Sequence, residues 1–170
     1  MSITNSRSVA FSALPDEARL WIFASPDPIT GSTAEKLIER VDGFLEEWHA
    51  HGHPVVGSRD WRHDHFVLVA ADEAATGVSG CSTDDLFRIF KQAEKELDIT
   101  LLDGSLVWYR DEGEVRSASR ARFRELARSG RVTGDTVVFD NTVPSVGGVR
   151  NGAWERPARE AWHGKAFGLT

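Results

Sequence analysis

One short stretch of the chain combines residue types that can carry chemistry. The run Ser79-Gly80-Cys81-Ser82-Thr83-Asp84-Asp85 holds the only cysteine among 170 residues. It follows an apolar, strand-like run and precedes a helix-like run, which predicts a turn at the start of a helix. Free amides and the helix dipole favour an anion at such a position. The turn is therefore suited to a thiolate at Cys81, or to a carboxylate or phosphate bound by Ser79, Gly80 and Ser82.

Histidines form the second group of candidates. Five of the six lie in two clusters, His49/His51/His53 and His63/His65. The elements proposed below put these clusters at opposite edges of a sheet, roughly 20 Å apart across a six-residue strand. A metal ion needs ligands at about 2 Å, so the pattern predicts no metal site shared by the two clusters.

The surrounding pattern predicts the elements that position these residues. Consecutive apolar residues indicate strands, and apolar residues at helical spacing indicate amphipathic helices. Ser32-Thr33-Ala34-Glu35 has the form of a capping box for the first helix. The predicted strands are 17–24, 55–60, 66–70 and 105–109, and the predicted helices are 33–50 and 83–97.

This order is that of a split-βαβ, ferredoxin-like fold. We therefore predict an α+β protein whose βαββαβ core is a four-stranded antiparallel sheet with both helices on one face. In that topology the third strand ends at the sheet edge where the second began. The turn around Cys81 would then lie beside His51 and His53.

This proximity leaves three interpretations of the turn open. With His51 as base, Cys81 is a candidate nucleophile. With His53, the residues Ser79, Gly80 and Ser82 are candidates for binding a ligand. The third interpretation is structural: Cys81 acts as a small hydrophobe, Ser82 or Thr83 caps the helix, and Asp84 and Asp85 complement its dipole while repelling a second negative charge.

Three segments are expected along the chain: an N-terminal tail (1–15), the core domain (16–112) and a C-terminal extension (113–170) packed on the core. In the extension, Ser119 is a candidate helix cap and Gly130 a candidate C′ residue. A short strand is expected at 136–139. The pair Trp162-His163 either anchors the tail or closes over a site, which makes His163 an alternative base for Cys81.

Composition restricts the partners. The net charge is −6 and no lysine-rich run occurs, so nucleic acid is not expected as a partner. No apolar run approaches the ~18 residues of a membrane span, and no secretory leader is recognisable. We expect a cytoplasmic protein without membrane association. No P-loop, Gly-x-Gly-x-x-Gly, Gly-x-Ser-x-Gly or His-Glu-x-x-His motif is present, and no cofactor is predicted.

Several motifs together resemble a known group of proteins. They are Trp48-x-x-His51-Gly52, Phe66 in an apolar strand, Ser79-Gly80-Cys81-Ser82, Tyr109-Arg110-Asp111, Val138-Phe139-x-Asn141, Trp154-x-x-Pro157 and Trp162-His163. In this order they resemble a small bacterial family whose members are often labelled "ABC transporter ATPase", over about residues 18–165. The resemblance implies no activity, and the usual Ser-Trp-His ending is Ala161-Trp162-His163 here. Residues 123–139 also resemble the helix-turn-strand half of small GYF-like modules, which are associated with protein–protein contacts.

These observations favour a protein without ATPase activity that binds a small polar or anionic ligand or a protein partner. Two alternatives remain. One is a hydrolase or transferase with Cys81 as nucleophile and His51 or His163 as base. The other is an adaptor that acts through its tryptophan-rich C-terminal tail.

Overall fold

The computed structural model describes residues 9–75 and 80–170. The chain divides into two compact units: unit 1 is Met1–Leu102 with Pro144–Gly147, and unit 2 is Asp103–Val143 with Gly148–Thr170. Helices and antiparallel sheets occur in the same chain, which confirms the α+β class.

Unit 1 contains a three-stranded antiparallel sheet, a short hairpin and two long helices. The strands are β1 (Arg19–Ala24), β2 (His49–Ala50), β3 (His53–Pro54), β4 (Gly57–Arg62) and β5 (Phe66–Ala71), and the helices are α1 (Gly31–Glu47) and α2 (Gly80–Leu97). The order of the larger sheet is β1-β5-β4, and β2 pairs with β3. Every residue of β5 is buried, as its apolar run predicts for a central strand.

Both long helices cover one face of this sheet. Alternate residues of β5 point to the same face, and they share one apolar core with residues spaced three or four apart on the helices. This core contains Val67, Val69 and Ala71 from β5, Leu37, Val41 and Leu45 from α1, and Leu86, Phe90 and Ala93 from α2. The predicted placement of both helices on one face is confirmed.

The predicted helix starts are wrong. Helix α1 begins at Gly31 after Thr30, whose side chain makes no capping bond, so Ser32 lies in the first turn and the capping box does not form. Helix α2 begins at Gly80 rather than at residue 83. Ser82 therefore lies inside the first turn and is not the N-cap residue.

The ferredoxin-like sheet of four strands does not form. The predicted fourth strand is β6 (Val107–Asp111), which lies in unit 2 and pairs with β7 (Glu114–Ala118). Glu112 and Gly113 join the two strands with φ angles of 52° and 82°. Two consecutive residues with positive φ are typical of the tight turns in two-residue hairpins. Glu112 and Gly113 thus form a hairpin turn that holds β6 in a second sheet.

Unit 2 is built on that second sheet, which is antiparallel and has the order β7-β6-β8-β9. Its remaining elements are α3 (Arg120–Arg128), β8 (Val137–Phe139), α4 (Val146–Arg150), β9 (Glu155–Pro157) and α5 (Trp162–Phe167). Helix α4 starts within the part of the chain that belongs to unit 1. The apolar core of unit 2 includes Val107, Tyr109, Phe123, Val138 and Ala158.

A four-residue segment from the second half of the chain completes unit 1. The amide of Leu20 donates to the carbonyl of Pro144 at 3.0 Å, and the amide of Gly147 donates to the carbonyl of Asp16 at 2.8 Å. A bridge between Arg19 and Ser145 extends the pairing. This segment therefore runs beside β1, the edge strand of the first sheet.

Among the residues that the structure describes, none of the helices has the length and apolar character required to cross a bilayer.

Candidate functional site

The first candidate site is the turn around Cys81, which forms the start of a helix as expected. Cys81 is exposed in the first turn of α2. Gly80 is exposed as well, whereas only 1% of Ser82 is accessible. Ser79 lies outside the described residues. The thiol is thus open to solvent, while the neighbouring hydroxyl is packed into the protein.

The hairpin that carries His51 and His53 lies beside this helix start. The indole Nε1–H of Trp48, which precedes β2, donates to the carbonyl oxygen of Ser82 at 2.9 Å in a buried position. His51 and Gly52 form the turn with positive φ, and His53 pairs with Ala50. Both histidines are exposed. The bond from Trp48 makes the hairpin and the start of α2 neighbours. The proximity of Cys81 to His51 and His53, and their roles in chemistry, stay predictions.

Trp48 enters the sequence analysis only as part of a resemblance motif, and its role in positioning this turn was missed. Its ring is 2% accessible and lies 5.2 Å from the ring of Phe44 and 5.8 Å from that of Trp21. With its indole N–H on Ser82, it ties the end of α1 to the start of α2. The position of the Cys81 turn is therefore set by an aromatic side chain 33 residues earlier in the chain.

His163 has a different environment. It lies in α5 of unit 2, is fully buried and stacks on Trp162 with ring centroids 3.9 Å apart. Neither ring nitrogen has a hydrogen-bond partner in the described part of the chain. Burial lowers the pKa of His163 to about 4; Asp140 opposes this shift, whereas Arg120 and Arg156 add to it. The imidazole is neutral near pH 7 and closed to solvent, which does not favour a role as a base for a dissolved substrate.

Two of the remaining histidines, His49 and His65, contact backbone carbonyl oxygens. His65 is buried, and its Nδ1 lies 2.7 Å from the carbonyl oxygen of Ser25. The Nδ1 of His49 is within hydrogen-bond distance of the carbonyl oxygen of Glu47. Within residues 9–75 and 80–170, no three side chains of His, Cys, Asp or Glu lie close enough together to hold a metal ion.

A groove in unit 2 offers the geometry of a binding site. It has a volume of about 620 Å³ and lies between α3 and the sheet. Its lining comprises Tyr109 and Asp111 from β6, Arg116 from β7, Arg122, Glu125 and Leu126 from α3, and Ser129 and Arg131 beyond that helix. Tyr109 and Leu126 are buried, so an apolar floor lies below a charged rim.

Helix α3 forms one wall of this groove, and both of its ends are capped. The Ser119 side chain accepts from the amide of Arg122 at 3.1 Å. At the other end, Gly130 has a φ of 76° and the amide of Arg131 donates to the carbonyl of Leu126 at 2.9 Å, the bonding of a Schellman motif. Both predicted caps are confirmed. Positions 122, 125, 126 and 129 fall on one side of this helix.

Three exposed ion pairs surround the groove. Arg116 pairs with Glu114 at 2.5 Å, Arg122 with Glu125 at 3.1 Å, and Arg131 with Asp111 at 2.9 Å. Their arginine side chains are 53%, 62% and 54% accessible, so solvent screens each pair and its partners exchange at little cost. A guanidinium has five N–H donors, and each of these pairs uses one nitrogen of it. Donors remain for a further anion.

The pKa of Tyr109 determines which charge the floor of the groove carries. Burial, with a contribution from Asp111, raises the pKa of its hydroxyl above the ordinary value of 10, against the effect of nearby arginines. The hydrogen bond from Arg131 to Asp111 likewise raises the pKa of Arg131. At neutral pH the groove therefore holds a protonated phenol and permanent guanidinium charges, all of them donors.

Positive charge continues along the other sides of α3. The Cζ atom of Arg120 lies 5.1 Å from the ring centroid of Trp162, and that of Arg124 lies 5.8 Å from that of Phe167. At these distances a guanidinium is attracted to the face of an aromatic ring. Between positions 116 and 131 the sequence has six exposed arginines and one acidic residue, Glu125. This local excess was the available signal, and it was missed because the net charge of the whole chain is negative.

Comparison with known proteins adds no assignment, since neither a protein-family model nor a curated protein nor a solved structure matches the chain. The candidate sites rest on their geometry and charge.

Proposed function

We propose that this protein is a binding protein without ATPase activity, and that the groove between α3 and the β6–β7 hairpin takes an anionic ligand. The observation that carries the proposal is the set of three arginines, Arg116, Arg122 and Arg131, around one groove of about 620 Å³. Arginine suits this role because its planar donor fork matches the two oxygens of a carboxylate or phosphate. We place this function in the cytoplasm.

The balance of charge favours an anion over a cation. Three arginines and two acidic residues line the groove, and Glu114 pairs with Arg116. The positive excess comes from Arg120, Arg124 and Arg128, which lie on the same helix outside the groove. An approaching anion therefore meets a positive field even though the chain as a whole is negative. The protonated hydroxyl of Tyr109 supplies a donor at the floor.

A titration with citrate tests the proposal. Citrate carries three carboxylates and serves as a general polyanionic probe, with pyrophosphate as the phosphate equivalent. We expect either to bind the full chain, and Arg116→Gln or Arg122→Gln to weaken binding about tenfold, the value of one lost charge-assisted hydrogen bond. Calorimetric titration at low ionic strength measures both, and added salt should weaken the binding.

Arg128→Gln is the matched control, since it removes the same charge from the same helix at a position that does not line the groove. If Arg128→Gln weakened anion binding equally, the binding would come from the overall charge of the helix and not from the groove. Absence of binding by citrate and by pyrophosphate at millimolar concentration would contradict the proposal.

The exposed Cys81 supports a second candidate, the thiol-dependent hydrolase or transferase. Its support is the open thiol in the first turn of α2 beside the His51–His53 hairpin. Measuring the rate of alkylation by iodoacetamide as a function of pH separates this candidate from a merely exposed cysteine. A rate that reaches its plateau well below the ordinary thiol pKa of ~8.5 would favour it.

A further inference from the structure

We propose that the natural ligand of the groove is an extended acidic segment of a partner protein, which pairs as an added strand with the outer edge of β7. The proposal rests on the anion binding argued above and names the class of ligand. It is carried by three features: an edge strand beside the groove, the register of Arg116, and the spacing of the groove residues on α3.

Strand β7 is the edge of its sheet. In the order β7-β6-β8-β9 its one partner among the described strands is β6. An edge strand presents unpaired backbone N–H and C=O groups along its outer side. Extended peptides use such edges because backbone hydrogen bonds provide affinity, while alternate side chains provide specificity.

The register puts Arg116 on the groove side of that edge. Arg116 is the cross-strand partner of Tyr109, so the two side chains point to the same face. The ring of Tyr109 packs edge-on against that of Phe123 at 5.3 Å, which makes this the face covered by α3. Residues of an added strand that lie opposite Arg116, or two positions away, therefore point toward the groove as well.

The length of the groove fits a short run of such a strand. From Arg122 to Ser129 the chain advances by seven residues, about 10 Å along a helix axis at 1.5 Å per residue. A strand covers this distance in roughly three residues at 3.3 Å each. Two carboxylates at positions i and i+2 would then face the arginines of the rim.

A protein segment fits the charges better than a nucleic acid does. Asp111 and Glu125 also line the groove, and they would repel a continuous phosphate backbone. A peptide can place its carboxylates near Arg116 and Arg122 while presenting amide groups to the acidic side chains. The two acidic residues thus favour discrete carboxylates over a uniform polyanion.

Fluorescence anisotropy with synthetic peptides tests this inference on the full chain. The probe is a capped, fluorescein-labelled peptide in which glutamate and valine alternate. Its control has the same composition with the glutamates contiguous. We expect the alternating peptide to bind about tenfold tighter, and Arg116→Gln or Arg122→Gln to weaken it about tenfold, with Arg128→Gln unchanged.

N-methylation of every second amide tests the strand pairing itself, because it removes donors without changing charge. Two peptides are made, one methylated at the odd-numbered amides and one at the even-numbered amides. We expect one of these frames to lose about tenfold in affinity and the other to bind as before. Equal binding of both frames and the unmodified peptide would overturn the inference. Circular dichroism confirms that each variant is folded.

The remaining outcomes separate this inference from the proposed function. If citrate binds in an arginine-dependent way but the alternating peptide binds no better than its control, the anion site stands and the inference fails. If polyuridylate binds through Arg116 and Arg122 while the peptide does not, the partner is a nucleic acid and the inference also fails. If neither citrate nor any peptide binds, both proposals fall.

Discussion

His163 shows how one side chain can report on the protein's response to pH. Its ring is fully buried between Trp162 and Phe123, and neither nitrogen is hydrogen-bonded in the described part of the chain. The charged groups that act on it are Asp140, Arg120 and Arg156. Because two of these three are cationic and the ring is fully buried, the neutral imidazole is the form that fits the folded state.

We therefore expect acid to destabilise unit 2 through His163. The folded pKa is about 4 and the ordinary value is 6.5, so between these values the unfolded chain binds more protons. The free energy of unfolding then falls as the pH drops from about 6.5 to about 4, by roughly 3 kcal/mol over the whole range at 1.4 kcal/mol per unit. Urea unfolding followed by circular dichroism at a series of pH values measures this.

His163→Phe identifies the source of the effect. Phenylalanine keeps an aromatic ring against Trp162 and removes the titrating group, so it should flatten the pH dependence between 7 and 4.5. His53→Gln, at an exposed position, should leave that dependence unchanged. An unaltered slope in His163→Phe would mean that other groups cause the acid sensitivity.

Residue-level prediction from the sequence succeeded where the signal is local. Ser119 and Gly130 act through bonds to residues three or four positions away, and their types alone indicate a cap. The burial of Ser82 and the isolation of His163 depend on side chains far away in the chain. No local pattern contains that information, so the first was interpreted as a cap and the second as a possible base.

At the scale of elements, Trp48 connects the hairpin β2–β3 to helix α2. Trp48→Phe keeps ring packing near Phe44 and Trp21 but removes the donor to the Ser82 carbonyl. We expect a loss of about 2–3 kcal/mol, which combines a lost buried hydrogen bond with a smaller ring. Hydrogen exchange should also accelerate at the amides in the second turn of α2, which donate to the carbonyls of the first turn.

Trp61→Phe provides the comparison, because Trp61 packs against the same core while only partly buried. This substitution should lower the free energy of unfolding by less and leave exchange in the second turn of α2 unchanged. Equal effects of the two variants would indicate that the bond from Trp48 to Ser82 contributes nothing specific.

The pairing of β6 with β7 explains why the predicted topology was incomplete. Its apolar run correctly indicates a strand, as do those of β1 and β5. Which sheet a strand joins depends on its partners, and here Glu112 and Gly113 close a tight hairpin with β7. The sequence shows this turn only as a polar pair containing glycine, so the elements could be predicted but their distribution over two sheets could not.

At the scale of the whole molecule, charge is divided unevenly. Unit 2 has 11 basic and 9 acidic residues, whereas unit 1 has 9 basic and 17 acidic residues. The two net charges, +2 and −8, give the chain its −6. The total charge of −6 therefore conceals the positive balance of unit 2, which is why a composition argument did not find the groove.

The returning segment 144–147 makes unit 1 depend on a glycine in the second half of the chain. A β-carbon at Gly147 would lie 2.9 Å from the carbonyl oxygen of Asp16, a backbone atom that has little room to shift. Gly147→Ala should therefore destabilise unit 1 by about 1–3 kcal/mol. Gly43, in the middle of α1, has no atom near the corresponding position.

Gly43→Ala is thus the matched control in the same unit, and it should raise stability by about 0.5–1 kcal/mol through helix propensity. Thermal unfolding of both variants measures the difference. A stability of Gly147→Ala equal to that of the unmodified protein would show that the segment is not tightly held beside Asp16.

The same segment has a consequence for the order of events during synthesis. A ribosome that has released Leu102 must add 45 further residues before Gly147 emerges, which takes roughly 2–9 s at 5–20 residues per second. Over that interval the outer edge of β1 is unpaired. Residues 103–143 meanwhile leave the ribosome before the last strand and helix of their own unit have been made. Unit 1 is still incomplete while unit 2 emerges, so the nascent chain carries two unfinished sheets at the same time until residue 147 has been added.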